Sequence, residues 1–208
     1  MSDSVITVLL VDDHALVRRG FRRMLEDEEG IEIVGEASDG HEAVEAALAL
    51  RPKVVVMDFA LPSMNGAVAA RRMLEAQPGL AILILSMHAE PSYVRTCLDA
   101  GARGYLLKNA MDLELVSAVC NVARGDQVLD PRLGYIAPSG KAPTLSTREL
   151  EVLQLIVHGK SNKDIAQLLS LSVNTIAVHR SNIMQTLGIH NTAELVVHAI
   201  RTGLVSIA

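Results

Sequence analysis

Tryptophan is absent from this 208-residue chain, phenylalanine occurs twice and tyrosine three times. The core must therefore be aliphatic, and a pocket walled by aromatic rings, a common setting for small-molecule ligands, is not expected. Cysteine is almost as scarce. Cys97 and Cys120 are too far apart for a CxxC pair and lie among apolar neighbours in helix-like segments, so both are read as free core thiols. Long hydrophobic runs are also missing: the longest, 5 to 11 and 81 to 85, fall far short of the ~20 residues that span a bilayer. Residues 1 to 4 carry no basic group, and the apolar run that follows ends in Asp12 and Asp13 instead of a small-residue cleavage site. No signal peptide is expected, and the expected location is the cytoplasm. No GxxxxGK loop, GxSxG elbow, HExxH pair or Cys/His metal cluster occurs, which argues against an enzyme that turns over an external substrate.

What is present is unevenly distributed. The length fits two small domains, each able to bury a modest core. The net charge is -5, but residues 1 to 143 carry 14 Lys/Arg against 20 Asp/Glu, whereas residues 144 to 208 carry 5 against 4. A cation or phosphate site is expected in the acidic part, and any nucleic-acid contact in the other.

Through residue 124, short β-branched runs alternate with amphipathic stretches. The runs at 5 to 11, 31 to 34, 54 to 57, 81 to 85 and 104 to 107 are continuously apolar, as strands covered on both faces should be. Helical periodicity fills 14 to 27, 40 to 50, 65 to 77, 90 to 100 and 111 to 124, with Pro52, Pro78-Gly79 and Gly101 at the joins. Five βα units predict an α/β domain, 1 to 124, built on a doubly wound five-stranded parallel sheet. From 125 to 143 periodicity is lost and Pro131, Gly134, Pro138, Gly140 and Pro143 gather, which predicts a linker. Residues 144 to 208 show no strand pattern and four helical segments, at 147 to 158, 162 to 169, 173 to 187 and 191 to 202.

Polar residues mark the strand ends, where open parallel sheets bind ligands. Asp12 and Asp13 follow the first strand, Asp58 the third, Ser86 the fourth and Lys108 the fifth. Each has an ordinary reading alone: a helix N-cap for Asp12-Asp13, a turn for Asp58, a cap for Ser86, a solvated lysine for Lys108. Together they form a set. Three carboxylates at one sheet edge repel one another unless a cation joins them, and all-oxygen ligation suits Mg²⁺. With Lys108 and Ser86, these are the parts needed to place a phosphoryl group on Asp58.

The segments LLVDDH, VVVMDFALPSMNG, ILSMH and GARGYLLKNA resemble the motifs of CheY-like receiver domains over residues 5 to 124. The resemblance implies a flavodoxin-like fold with Asp58 as phosphoacceptor. It also implies Mg²⁺ held by Asp13, Asp58 and the Ala60 backbone carbonyl, with Asp12 acting through water. A switch is implied too, in which Ser86 moves toward the phosphoryl group and Tyr105 turns inward behind it. The ordinary reading of Tyr105 is a half-buried strand residue with its hydroxyl in water. Against the family pattern, Ala60 is small, Met87 bulky, and His88 is placed to approach the phosphoryl group, so these three are expected to tune dephosphorylation. His14 is expected at a helix start and His41 on a solvated helix face.

In the second half, Ser146 or Thr147 can cap the first helix, Gly159 can end it, Ser161 or Asn162 can start the second, and Ser172 can cap the third. This punctuation fits a helix-turn-helix and a plain helical bundle equally well. Ile176, Ile183 and Leu187 recur at helical spacing and are expected inside, leaving Asn174, Ala177, Val178, Ser181 and Gln185 outward. The segments LSTRELEVL, GKSNKDIA and TIAVHRSNIM resemble the LuxR-type helix-turn-helix of the NarL/FixJ regulators across 144 to 208.

Joined to a receiver, this implies a transcriptional response regulator answering to a sensor histidine kinase and binding double-stranded DNA. It also implies a homodimer when phosphorylated, and a last helix whose Leu195, Val196 and Ala199 form the dimer interface; their ordinary reading is core packing. Lys160, Lys163, Arg180 and Arg201 are expected to contact phosphates, and Asn174, Thr175, Ala177, Val178, Ser181 and Gln185 to face the groove. The family's usual lysines at Ala177 and Thr186 and arginine near Thr192 are missing. A regulator that acts on a partner protein is therefore the competing reading.

Overall fold

The computed structural model describes residues 5–62, 64–108, 112–133, 145–202 and 204–205. The chain divides into two compact units, Met1–Ile136 and Ala137–Ala208.

The first unit alternates β1 (Ile6–Val11), α1 (Ala15–Glu26), β2 (Ile31–Ala37), α2 (Gly40–Leu50), β3 (Val54–Asp58), α3 (Gly66–Ala76), β4 (Ala81–Ser86), α4 (Pro91–Asp99), β5 (Gly104–Leu107) and α5 (Asp112–Arg124), and closes with β6 (Val128–Leu129). The strands pair in parallel in the order β2-β1-β3-β4-β5-β6. Chain order reverses between β1 and β3, which opens a crevice beyond their carboxyl ends. Alternate strand residues serve opposite faces. Val8, Leu10, Val54, Val56, Leu83 and Leu85 join Leu25, Leu115 and Val119 of α1 and α5 in one core layer. The intervening Leu9, Val55, Met57, Ile82 and Ile84 are equally buried on the other face. Both faces are covered, so each strand reads as an unbroken apolar run, and each fully buried aliphatic side chain contributes roughly 1.5–3 kcal/mol.

The expectation of five strands is corrected to six. Within residues 125–133, expected in the linker, Val128 and Leu129 instead return to the sheet and pair with Gly104 and Tyr105 of β5. Two residues make too short a run for an alternation signal, and neighbouring Gly125 and Pro131 read as punctuation, so the sequence pattern does not reveal this strand. The rest of the expected linker, with Gly134, Pro138, Gly140 and Pro143, lies outside the described residues, as does the Arg201 side chain.

The second unit is helical: α6 (Thr147–Val157), α7 (Asn162–Leu168), α8 (Val173–Leu187) and α9 (Thr192–Arg201). Its punctuation follows the expected residues. Ser146 and Ser161 each form a capping box, with Glu149 and Asp164, and Ser172 caps α8 by accepting from the Thr175 amide. Gly159, at φ +73°, ends α6 in a Schellman turn in which its own amide and that of Lys160 bond the carbonyls of Ile156 and Leu155. Ile165, Ile176, Ile183, Leu195 and Ala199 are fully buried in this unit's core. Leu187, expected inside, is only half-buried.

Among the described residues, no helix is long and apolar enough to cross a membrane.

Candidate functional site

The carboxyl ends of β1, β3, β4 and β5 bring Asp12, Asp13, Asp58, Ser86 and Lys108 to one edge of the sheet. Asp12 and Asp58 are 2% and 3% exposed, so neither charge is free in water. Lys108 lies between them, its Nζ 2.6 Å from Asp58 Oδ2 and 2.8 Å from Asp12 Oδ2. One ligand atom from each of Asp12, Asp13, Asp58 and His14 falls within 4.8 Å of the others.

Three carboxylates thus face one ammonium. Asp12 Oδ2 and Asp13 Oδ1 are buried, and their close polar contacts are the ion pairs with Lys108 and His14. Such oxygen atoms, with negative charge in excess, suit a hard divalent cation. Burial pushes the Asp58 carboxyl above its ordinary range, the hydrogen bond from Lys108 opposes this, and Asp12 adds to the rise. Burial alone would lower the Lys108 ammonium, but its bonds to Asp12 and Asp58 prevail and hold it above its usual value.

Local backbone fixes this edge. The Ala60 amide donates to Asp58 Oδ1 at 3.2 Å, which orients the carboxylate. Asn65, fully buried, caps α3 by accepting from the Val68 amide at 2.9 Å. A Cβ on Gly66 would lie 2.6 Å from the Asp58 carbonyl oxygen and 3.0 Å from Phe59 Cα, so only glycine lets the chain turn back this closely. Asn65 and Gly66 were visible in sequence only as part of a motif; the backbone approach that requires Gly66 is tertiary.

Ser86 and Tyr105 meet at His88. Ser86 Oγ accepts from the His88 amide at 3.1 Å, and the Tyr105 hydroxyl donates to the His88 carbonyl at 2.7 Å. The half-buried reading of Tyr105 is corrected: its ring is wholly buried, and that burial pushes its hydroxyl far above the usual range. The His88 ring stacks on Tyr93, centroids 4.2 Å apart, with Phe59 edge-on to both. Met87 is 71% exposed and points away from the core. His14 is the N-cap residue of α1, as expected, with its ring Nδ1 2.7 Å from Asp13 Oδ1. His41 is exposed on α2. Cys97 is buried and Cys120 half-buried, both as free thiols.

A further residue was hidden in the expected linker. Asp130, 2% exposed, accepts from the Leu107 amide at 3.0 Å, while Arg132 donates to both its carboxylate oxygens. These bonds, Arg132 first, hold its carboxyl down at about 2.

In the helical unit, Asn174, Ala177, Val178, Ser181 and Gln185 all lie exposed along α8, with Lys160 and Lys163 exposed nearby in sequence. Thr175 is half-buried and spends its hydroxyl on Ser172, 2.7 Å away. Arg180 reaches Thr192 Oγ1 at 2.9 Å, which brings a guanidinium to the start of α9, where family members commonly place arginine. Arg148 bridges α6 to the α7–α8 turn, binding Glu151 at 2.7 Å and the Leu169 carbonyl at 2.9 Å. The expected interface residues of α9 are partly corrected: Leu195 and Ala199 are fully buried in their own unit, Val196 is half-buried, and the exposed valine is Val197.

A doubly wound sheet with an acidic, lysine-bridged edge, joined to four capped helices, defines a class that comparison with known proteins specifies. Residues 8–120 match the response regulator receiver domain, and residues 143–199 match the luxR family of bacterial regulatory proteins. The oxygen regulatory protein NreC of Staphylococcus carnosus (strain TM300) is 39% identical, covering 95% of this chain and 98% of that protein. RcsB of Salmonella enterica serovar Typhimurium, solved on promoter P1flhDC with the phosphomimetic BeF3-, superposes with a TM-score of 0.65. It is 26% identical over 95% of this chain and all of that one. A LuxR-family two-component response regulator from Aurantimonas sp. SI85-9A1 gives a TM-score of 0.61 at 35% identity, over 62% of this chain and 93% of its own. The chain belongs to the NarL/FixJ-type response regulators, a receiver domain followed by a LuxR-type helix-turn-helix.

Proposed function

We propose that this chain is a cytoplasmic transcriptional response regulator, that Asp58 accepts a phosphoryl group from a sensor histidine kinase, and that α8 enters the major groove of promoter DNA. The observation that carries the first step is the Lys108 ammonium between Asp58 and Asp12, at 2.6 and 2.8 Å, on the crevice edge of the sheet. An Asp58 oxygen attacks phosphorus and the bond to the donor's imidazole or acetate breaks. Lys108 moves charge-matched to the incoming phosphoryl oxygens, and the Ser86 hydroxyl exchanges its bond from His88 for one to the phosphoryl group. Asp13, Asp58 and the Ala60 carbonyl, with Asp12 through water, would hold Mg²⁺, which supplies the remaining neutralisation of transferred charge. The phosphoryl group stays on the chain's own aspartate, so no external substrate is turned over.

Tyr105 carries the change onward, because its hydroxyl holds the same His88 whose amide holds Ser86. In the helical unit, the exposed stripe offers amide and hydroxyl groups from Asn174, Gln185 and Ser181 to base edges, and Val178 to a thymine methyl. Lys160, Lys163 and Arg180 face phosphates. The stripe carries no positive charge, so a monomer binds weakly, and a phosphorylation-driven dimer doubles the contacts. The boundaries proposed for these parts are a receiver from residue 1, a linker reaching 143 and a DNA-binding domain at 144–208.

Incubation with Mg²⁺ and acetyl phosphate, read on a phosphate-affinity gel, should shift the wild type and leave Asp58→Asn unshifted. A shift in both would remove Asp58 from the role. Val178, 58% exposed on a stripe without charge, favours a second reading in which α8 binds a partner protein. Salt-dependent binding of the phosphorylated chain to double-stranded DNA would decide against it.

A further inference from the structure

The start of the interdomain stretch is fastened to the strand that carries both Tyr105 and the residue before Lys108. The Asp130 amide donates to the Tyr105 carbonyl at 2.9 Å, and the Asp130 carboxylate accepts from the Leu107 amide at 3.0 Å. Leu107 ends β5, and the next residue is Lys108, whose own amide is held by the Ser86 carbonyl at 2.8 Å. We infer that Asp130 is a positioning residue for phosphoryl transfer: it fixes the end of β5 so that the Lys108 ammonium stays between Asp12 and Asp58.

Three features support this. β5 has only four residues, and β6, its partner on the outer side, has two, so main-chain pairing with β6 reaches no further than Gly104 and Tyr105. The Leu107 amide lies beyond that ladder, and the Asp130 side chain supplies the acceptor that a longer β6 would otherwise provide. The carboxylate is itself immobilised, since Arg132 donates to both oxygens from Nε and Nη2 at 2.8 and 2.6 Å and its amide adds a third bond at 2.9 Å. An immobilised acceptor defines one position for Leu107, and through it for the backbone from which Lys108 reaches inward. The same clasp ties the stretch that follows α5 to the strand whose next residue is Lys108.

The inference rests on the receiver reading above, and its test separates the two. Full-length wild type, Asp130→Ala, Asp130→Asn, Arg132→Ala and Asp58→Asn are compared for acetyl phosphate labelling rate, Mg²⁺ affinity by calorimetry, and amide hydrogen exchange at Leu107 and Lys108. Asp130→Ala is expected to label about tenfold more slowly, to exchange faster at those two amides, and to keep its Mg²⁺ affinity within about twofold, because Asp12, Asp13 and Asp58 are untouched. Asp130→Asn keeps an acceptor oxygen for Leu107 and should recover most of the rate. It also serves if the alanine variant does not fold. Arg132→Ala frees the carboxylate but leaves the acceptor in place, and should label at a rate between those of wild type and Asp130→Ala. Labelling confined to Asp58 but equally fast in Asp130→Ala and Asp130→Asn overturns the inference, as does a loss of Mg²⁺ affinity parallel to the loss of rate, which marks general loosening. Labelling that persists in Asp58→Asn overturns the receiver reading instead.

Discussion

At the scale of single residues, the closest tolerances lie where the backbone folds back on Asp58. A side chain at Gly66 meets main-chain atoms of Asp58 and Phe59, which have no rotamer with which to yield. Gly66→Ala is expected to destabilise the first unit by about 1–3 kcal/mol, in the range of an overpacked core, and to slow Asp58 labelling; urea denaturation read beside labelling kinetics checks both. Asp130 gives a pH signature. Its folded carboxyl titrates at about 2, against ~3.9 for an unfolded aspartate. A depressed value stabilises above the unfolded value and is lost as pH falls through the folded one, so this contribution disappears between about pH 4 and pH 2. The full gap corresponds to roughly 2.5 kcal/mol, which the partly exposed Arg132 reduces to about 1–2 kcal/mol. Asp130→Asn should therefore flatten the acid limb of a stability curve measured between pH 5 and pH 2, and an unchanged slope would show that the clasp holds no such charge.

At the scale of elements, the turn between α7 and α8 carries strain. Ser170 lies at φ +53°, a left-handed conformation that costs an L-residue roughly 1–2 kcal/mol. Glycine relieves that cost but loses about 0.5–1 kcal/mol of unfolded-chain entropy, so Ser170→Gly should stabilise the helical unit by about 0.5–1 kcal/mol, visible as a raised melting temperature. Arg148 holds the same turn through the Leu169 carbonyl and pairs with Glu151, which is 2% exposed. Its loss leaves a buried carboxylate without that guanidinium. Arg148→Ala is expected to cost about 1–3 kcal/mol and to weaken DNA binding with every side chain of the α8 stripe unchanged. Equal melting curves for wild type and variant would contradict this.

At the scale of the whole molecule, the functional prediction is electrostatic. Each phosphate neutralised adds about -0.9 to the slope of log affinity against log salt. If Lys160 and Lys163 each touch one phosphate per protomer, Lys163→Ala should make the slope of a bound dimer shallower by about 1.8, with little change in sequence preference. Gel filtration before and after phosphorylation reads the dimer directly. A phosphorylated chain that stays monomeric, yet binds DNA with an unchanged slope, would place the switch elsewhere.

Much of this was legible in the chain itself. Short continuous apolar runs and period-3.6 patterning define five strands and nine helical stretches, because a strand covered on both faces must be apolar throughout and a surface helix on one side only. The residues at the strand ends, Asp12, Asp13, Asp58, Ser86 and Lys108, are likewise set by sequence position, since parallel βα units deliver their carboxyl ends to one edge. Serine caps three residues before Glu149, Asp164 and Thr175 mark the helix starts through a local bond that needs no tertiary partner. Tertiary structure decided what depends on distant atoms. It buried Tyr105 completely, turned Leu195 and Ala199 inward, required glycine at position 66, and drew Val128–Leu129 and Asp130 out of an expected linker onto β5. A two-residue strand has no period to detect, and an aspartate's partner is an amide 23 positions away, so only the folded backbone brings them together.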